Sequence, residues 1–271
     1  MPVNAGALPD YRIFTDATAD FPAGMPAGMP RVAIIPMEVT AGSDSFLYGP
    51  GGNLTVARFY AMQRGGKFAT ISQINPAAYR MSFESALKEG FDVLYLGFSS
   101  GMSGCFGNAR LCMDDLREAY PDRRLICLDT LAAPAGEALL VAEAARRQQE
   151  GMMLEDLAAW VEAHRLQACH WFPVDCFDHL RHVGRISAAA ATVGSVLNIK
   201  ILLHVDGEGI LGVVKKPRAG KIIQYVRRIR SIFVSFISGQ VLEAFILGSM
   251  VFAGTAIFRF PHACPSARWS C

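Results

Sequence analysis

At 271 residues, 52% of them hydrophobic and 18% charged, the chain is apolar for a globular protein and long enough to bury one large core or two modest ones. A formal net charge of +2, with no basic stripe before about residue 210, excludes nucleic acid as an expected partner. Seven cysteines without CxxC pairs give no support to zinc or a disulfide framework, and a reducing cytoplasm is expected. The opening MPVNAGALPDYRIF lacks a basic region followed by an apolar run, so no secretory signal is expected.

Tyr11–Thr15 reads as a short strand leading into Asp16-Ala17-Thr18-Ala19-Asp20. Asp16 and Thr18 stand where a strand turns towards a helix, and each either caps that turn or faces a ligand cleft. Residues 21–30, FPAGMPAGMP, are broken by Pro and Gly and predict a loop. Val32–Val39 predicts one buried strand, with Pro36 marking an edge or exit. Gly42–Asn53 reads as a loop, and Thr55–Arg64 as a helix capped by Asn53 or Thr55 and ended by Gly65-Gly66.

The stretch 69–110 organises the chain. It reads as a hydroxyl-rich loop, a helix with Pro76 in its first turn and Gly90 as its stop, and a buried strand over Phe91–Phe98. A second hydroxyl-rich loop, Ser99-Ser100-Gly101-Met102-Ser103-Gly104, then opens another helix. Ligands gather at the carboxyl ends of strands in an open α/β sheet, and free N–H groups at a helix start favour an anion. The loops around Ser72 and Ser103 are therefore expected to share one site. As single residues, Ser72, Ser99, Ser100 and Ser103 also suit caps and turns.

Asn108–Ala119 continues as a helix, Arg124–Leu128 as a strand closed by Asp129-Thr130, and Gly136–Glu150 and Leu154–His164 as helices. Strand and helix alternating at these spacings predict a parallel sheet with crossover helices. A domain change is expected between residues 160 and 175, giving an α/β domain over 1–165 and a second, smaller α/β domain over 166–271. His170–Asp175 reads as a strand, Asp178–His182 as a helical turn, and Ala188–Val196 as a helix of small residues. Ile199–Val205 and Ile210–Val214 form a hairpin around Asp206-Gly207-Glu208-Gly209. Arg185 at a Gly-bounded turn suits pairing with carboxylate or phosphate, or satisfies loop carbonyls. Lys215–Lys221 holds a basic cluster that attracts an acidic partner or stays a solvated face.

Ser72-Gln73 followed by Pro76, with Ser99-Ser100-x-x-Ser103-Gly104 after it, resembles the DegV family, whose members bind long-chain fatty acids. The resemblance covers roughly residues 11–221. It implies a ligand held between two domains, with its carboxylate at Ser72 and Ser103 and further contacts from Thr70, Ser99, Ser100, Asp16 and Thr18. It also implies presentation of the fatty acid to a fatty acid kinase subunit, with Arg185, Arg218 and Lys221 as candidate contacts to that kinase or to phosphate. Several family positions differ here: Ala17 replaces a serine, Ile71 a threonine, and Ala132-Ala133-Pro134 stands where a serine is usual. Thr70 neighbours Ile71, but adjacent residues of a strand face opposite ways.

Beyond about residue 222 the resemblance stops, and the tail reads as foreign to the family, leaving the second domain incomplete. Ser231–Phe258 carries one charge, Glu243, and follows Arg227, Arg228 and Arg230. Its length permits a membrane helix, but a central acidic side chain costs about 2.5–3.5 kcal/mol, which disfavours stable insertion.

No GxSxG elbow, HExxH or phosphate-loop motif occurs. The expectation is a binding protein with no catalytic residues, no metal and no cofactor beyond its fatty acid. The alternatives are a small α/β hydrolase or transferase using Ser99, Ser100 or Ser103, and a protein tethered to a membrane by residues 231–258. The hydrolase needs a base from His164, His170, His179, His182 or His204, none of which has a recognisable context.

Overall fold

The structure, a computed structural model of the chain, describes residues 10–22, 25–174, 180, 184 and 201–213. All of them belong to one compact unit, Met1–Val214. Alternation along β1 (Tyr11–Asp16) sets the layers: Tyr11 and Ile13 face one side, Phe14 the other. The same alternation along β6 (Asp92–Gly97) sends Val93 and Tyr95 one way and Leu94 and Leu96 the other. With β2 (Val32–Ile35) and β7 (Leu125–Asp129) these strands form a parallel sheet in the order β2-β1-β6-β7.

One face of this sheet packs against α2 (Pro76–Lys88) and α3 (Cys105–Ala119), burying Tyr79, Phe83, Met113 and Leu116. The other packs against α4 (Pro134–Gln149) and α5 (Leu154–His164), burying Val141, Leu157 and Val161. Helices on both faces explain why the central strand is apolar on both sides. The expected α/β class and parallel sheet are what the structure has.

The expected single strand over Val32–Val39 is instead two. Pro36, which has no N–H to donate, separates β2 from β3 (Met37–Ala41), and β3 leaves for a second, antiparallel sheet. That sheet adds β4 (Asp44–Tyr48), inside what reads from sequence as a loop, and β5 (Ala69–Ile71), the start of the first hydroxyl-rich segment. Both strands are short and largely exposed, so their apolar pattern is weak. Above them lies α1 (Val56–Arg64), whose Thr55 cap accepts from Arg58 N at 3.2 Å. Asn75 caps α2 in the same way. Helices α3 and α4 start three and two residues earlier than their sequence patterns suggest.

A third sheet, order β10-β9-β8, is formed by β8 (Trp171–Val174), β9 (Ile201–Val205) and β10 (Leu211–Val213). The β9–β10 pair is the expected hairpin. The expected turn at Asp178–His182, the helix over Ala188–Val196 and the apolar run Ser231–Phe258 lie wholly or largely outside the described residues. Among the described residues, no helix is long and apolar enough to cross a membrane.

Candidate functional site

Strand order locates the site. From β1 the chain goes to β2 on one side and later returns to β6 on the other, so the crevice at the carboxyl ends of β1 and β6 is a topological switch point. Two concavities open on the loops that leave these two strands.

The first is an apolar cavity of about 190 Å³ under the second sheet and α1. Met37, Val39, Leu54, Phe59 and Ile71 wall it, and Ala17–Asp20, the exit loop of β1, closes it. Ile71 is in register with Val39 and lies on the cavity, whereas Thr70, paired with Thr40, is not among the lining residues. Its polar groups are Thr18, Asp20, Tyr48 and Tyr60. Burial, reinforced by the nearby Asp20 charge, pushes the Tyr48 phenol up and keeps it neutral.

The Asp16 carboxylate sits beneath the exit loop, fully buried. It accepts from Tyr95 Oη at 2.7 Å and from Thr18 N at 2.9 Å, and it bonds the Thr18 hydroxyl. Asp16 thus acts as the internal anchor of the turn. Thr18 reaches the cavity, but its hydroxyl is engaged by Asp16 and also lies 2.8 Å from Glu137 Oε2.

The second concavity is a cleft of about 430 Å³ lined by Ser100–Gly104, Gly184, Ile210 and Leu211. Here α3 begins at Gly104, which supplies no side-chain cap, while Ser103 Oγ accepts from Cys105 N at 3.3 Å. First-turn N–H groups and the helix dipole make this cleft suited to an anionic oxygen. Asp129 fastens the loop by accepting from Ser100 N at 3.2 Å, and Thr130 Oγ1 donates to Gly97 O at 2.8 Å. The Asp-Thr pair after β7 therefore serves to hold the neighbouring loop.

The serines of this loop have different surroundings. Ser99 is buried, donates to Gly209 O at 2.7 Å and accepts from Gly101 N. It ties the β9–β10 hairpin onto the loop. Gly209 has φ +74°, and a Cβ there would fall 2.1 Å from Ser99 Oγ, so only glycine fits this contact. Ser100 is exposed and Ser103 half-buried, and both line the cleft.

Ser72 is exposed on the loop after β5. Its neighbour Gln73 carries the link between the two hydroxyl-rich loops, with Oε1 accepting from Asn108 Nδ2 at 3.0 Å. A Cβ on Gly104 would lie 2.4 Å from Gln73 Nε2. The Ser72 and Ser103 loops therefore approach each other at Gln73, Gly104 and Asn108, while Ser72 itself is not among the residues lining either concavity. Arg185, Arg218 and Lys221 lie outside the described residues.

Glu137 carries no signal in the sequence, and the contacts of Gln73, there only part of a motif, and of His170, there only a candidate base, emerge in the fold. His170 Nε2 accepts from Ala133 N at 3.1 Å, at the start of α4, and its ring packs on Gly136. Burial holds its pKa below the usual histidine value. His164 Nδ1 is 2.7 Å from Trp160 O, and His204 stacks on Trp171. These three histidines are occupied with partners other than the loop serines. No group of three or more potential metal ligands occurs among the described residues.

A switch-point crevice with an apolar cavity, and a hydroxyl-lined cleft at a helix start beside it, defines an α/β protein with a concave site at the carboxyl end of its parallel sheet. The chain belongs to the DegV family: the model of that family, described as uncharacterised protein, matches residues 10–242. The match runs past residue 222, where the motifs cease to be legible. A DegV domain-containing protein of Clostridium perfringens is 35% identical over 209 residues, 77% of this chain and 72% of that one. A DegV domain-containing protein of Lactococcus lactis is 34% identical over 78% of this chain and 73% of its own. A solved fatty-acid-binding DegV family protein from Thermus thermophilus superposes with a TM-score of 0.66 at 26% identity, covering 82% of this chain and 77% of its own. The Streptococcus pneumoniae Fatty Acid Kinase (Fak) B3 protein, solved with linoleic acid, shares the fold with a TM-score of 0.67 at 19% identity over 82% and 78% of the two chains.

Proposed function

We propose that this protein binds a long-chain fatty acid and presents its carboxylate to a fatty acid kinase. The observation that carries the reading is the pairing, at the carboxyl end of one sheet, of an apolar cavity with a cleft of hydroxyls and helix N–H groups. Membership of the DegV family and the fatty-acid-binding protein from Thermus thermophilus support it. Burying an acyl chain contributes about 0.8 kcal/mol per CH2, and a few donors suffice to keep the carboxylate paired. Ser100 and Ser103 are the proposed carboxylate donors, with Ser72 at the adjoining loop. Ser99, Asp16 and Thr18 shape the site from beneath. Thr70 has the weakest support, because it lines neither concavity and pairs with Thr40 in the second sheet.

Kinase presentation is the further step of the same reading. The kinase would transfer the γ-phosphoryl group of ATP to a carboxylate oxygen, breaking the bond to ADP and forming an acyl phosphate. Gly184, the residue before Arg185, lines the cleft and supports Arg185 as a contact to phosphate or kinase. Arg218 and Lys221 remain proposed on sequence alone. We also propose the division into domains 1–165 and 166–271, a cytoplasmic location, and a binding role in place of catalysis.

Binding is tested by titrating delipidated full-length protein with a long-chain fatty acid. Ser100→Ala and Ser103→Ala are each expected to weaken affinity about tenfold, the loss of one hydrogen bond to a charged group. Unchanged affinity in the double variant would remove the cleft from the site.

A further inference from the structure

Two buried carboxyl groups, Asp16 and Glu137, meet one hydroxyl beneath the apolar cavity. Thr18 has a single hydroxyl proton, yet its Oγ1 bonds Asp16 Oδ1 and lies 2.8 Å from Glu137 Oε2. Ionised carboxylates only accept, so with both ionised one of these contacts would bring two oxygens together without a proton between them. One carboxyl group must therefore carry a proton.

The surroundings decide which. Asp16 accepts from the backbone N–H of Thr18, a donor that cannot reverse, and from Tyr95, which is next to Tyr79 at 3.2 Å. Among the described residues, the hydrogen-bond partners of the Glu137 carboxyl are hydroxyls, Thr18 Oγ1 and, 2.9 Å from its Oε1, Thr15 Oγ1. Hydroxyls accept as readily as they donate. The charge accordingly stays on Asp16, and the proton sits on Glu137 Oε2. Among the described residues, no recorded ion pair involves either group.

We propose that Glu137 is a neutral carboxylic acid in the folded protein at neutral pH, and that its O–H, donated to Thr18, positions the floor of the apolar cavity. The donor chain runs from Glu137 to Thr18 to Asp16, and Tyr95 closes it from the other side. The ligand half of this statement rests on the fatty-acid reading above; the proton half does not. The titratable groups acting on Glu137 are Asp16 on β1, whose other oxygen takes the Tyr95 hydroxyl, and Cys105 at the start of α3; His170 packs against the neighbouring Gly136. Burial first, and then the Asp16 charge, push the Glu137 carboxyl well above the usual range, against the opposing pull of its hydrogen bonds with Thr18 and Thr15. Ionising it puts a second negative charge under Ala17–Asp20 and loosens the loop that closes the cavity. Glu137 is thus a positioning residue, and ligand affinity falls as it ionises.

Infrared difference spectra of delipidated full-length protein test the proton directly. Wild type at neutral pH should show the carbonyl stretch of a neutral carboxylic acid, and Glu137→Gln should lose it. Absence of the band in wild type, or its persistence in folded Glu137→Gln, overturns the proposal. Thermal unfolding supplies a second readout. A raised folded-state pKa means the folded state holds the extra proton, so stability falls as pH rises from the ordinary carboxylate range towards the folded value. Glu137→Gln should remove that fall, and parallel pH profiles would contradict the proposal. Fatty acid affinity should drop about tenfold or more at alkaline pH in wild type, with no such drop in Glu137→Gln. A band of the expected behaviour in protein that binds no fatty acid at any pH keeps the proton assignment and overturns the ligand reading.

Discussion

The exit loops of β1 and β6 leave adjacent strands of one sheet, yet they are built in opposite ways. After β1, the polar groups turn inward: Asp16, Thr18, Glu137, Tyr95 and Tyr79 bond one another, and the surface left to the cavity is mostly apolar. After β6, the polar groups are divided. Asp129, Thr130 and Ser99 fix the loop from behind, and Ser100 and Ser103 remain on the cleft. A fatty acid needs both surfaces, one with no unpaired polar atoms for its chain and one with donors for its head. Under the proposed function, neighbouring loops of one sheet would supply a mainly apolar wall and a row of donors by directing side-chain hydrogen bonds either into the fold or out of it.

Removing the support under the apolar side should have the largest effect. Phe83 is fully buried with Phe14, Tyr79 and Tyr95 around it, and Tyr95 carries the bond to Asp16. Phe83→Ala should cost about 3–5 kcal/mol, read as a lower urea midpoint, and should free the β1 exit loop. The polar side breaks at a different place. Gly209→Ala places a Cβ against Ser99 Oγ in a left-handed backbone, costing about 1–2 kcal/mol from the backbone alone. It should speed amide exchange in the hairpin and the Ser99–Gly101 loop while leaving β1 and α4 protected.

The smallest effect is a pH dependence that sharpens the contrast. His170 accepts from Ala133 N only when neutral, and burial depresses its pKa. The unfolded chain therefore binds the proton first as pH falls. Stability contributed by this contact is complete above the ordinary histidine value and is lost as pH drops through the lower, folded-state value. His170→Gln should flatten thermal unfolding between these limits. This slope is opposite in sign to that expected from Glu137, so the two variants separate the contributions.

Much of the frame was legible in the sequence because it depends on local signals. Buried runs such as Phe91–Phe98, caps such as Thr55, and stops such as Gly90 mark the parallel sheet and its helices. What was not legible depends on partners distant in sequence. The run Val32–Val39 looks continuous because both halves are apolar, and only the missing N–H of Pro36 signals the change of sheet. Glu137 lies within a helix pattern, where it reads as an exposed charge until Thr15 and Thr18 are brought to it from more than a hundred residues away. Ser99, Ser100 and Ser103 are alike in sequence, and the hairpin that occupies Ser99 comes from residue 209. At Thr70 the family resemblance and strand alternation pulled apart: the resemblance made it a candidate contact, alternation turned it away from the Ile71 side, and it is Ile71 that lines the cavity.

The central claim is most directly tested by extracting purified full-length protein with organic solvent and measuring fatty acid by mass spectrometry. Close to one long-chain fatty acid per chain is the expected result. An empty extract from folded protein that also takes up no added fatty acid would contradict it.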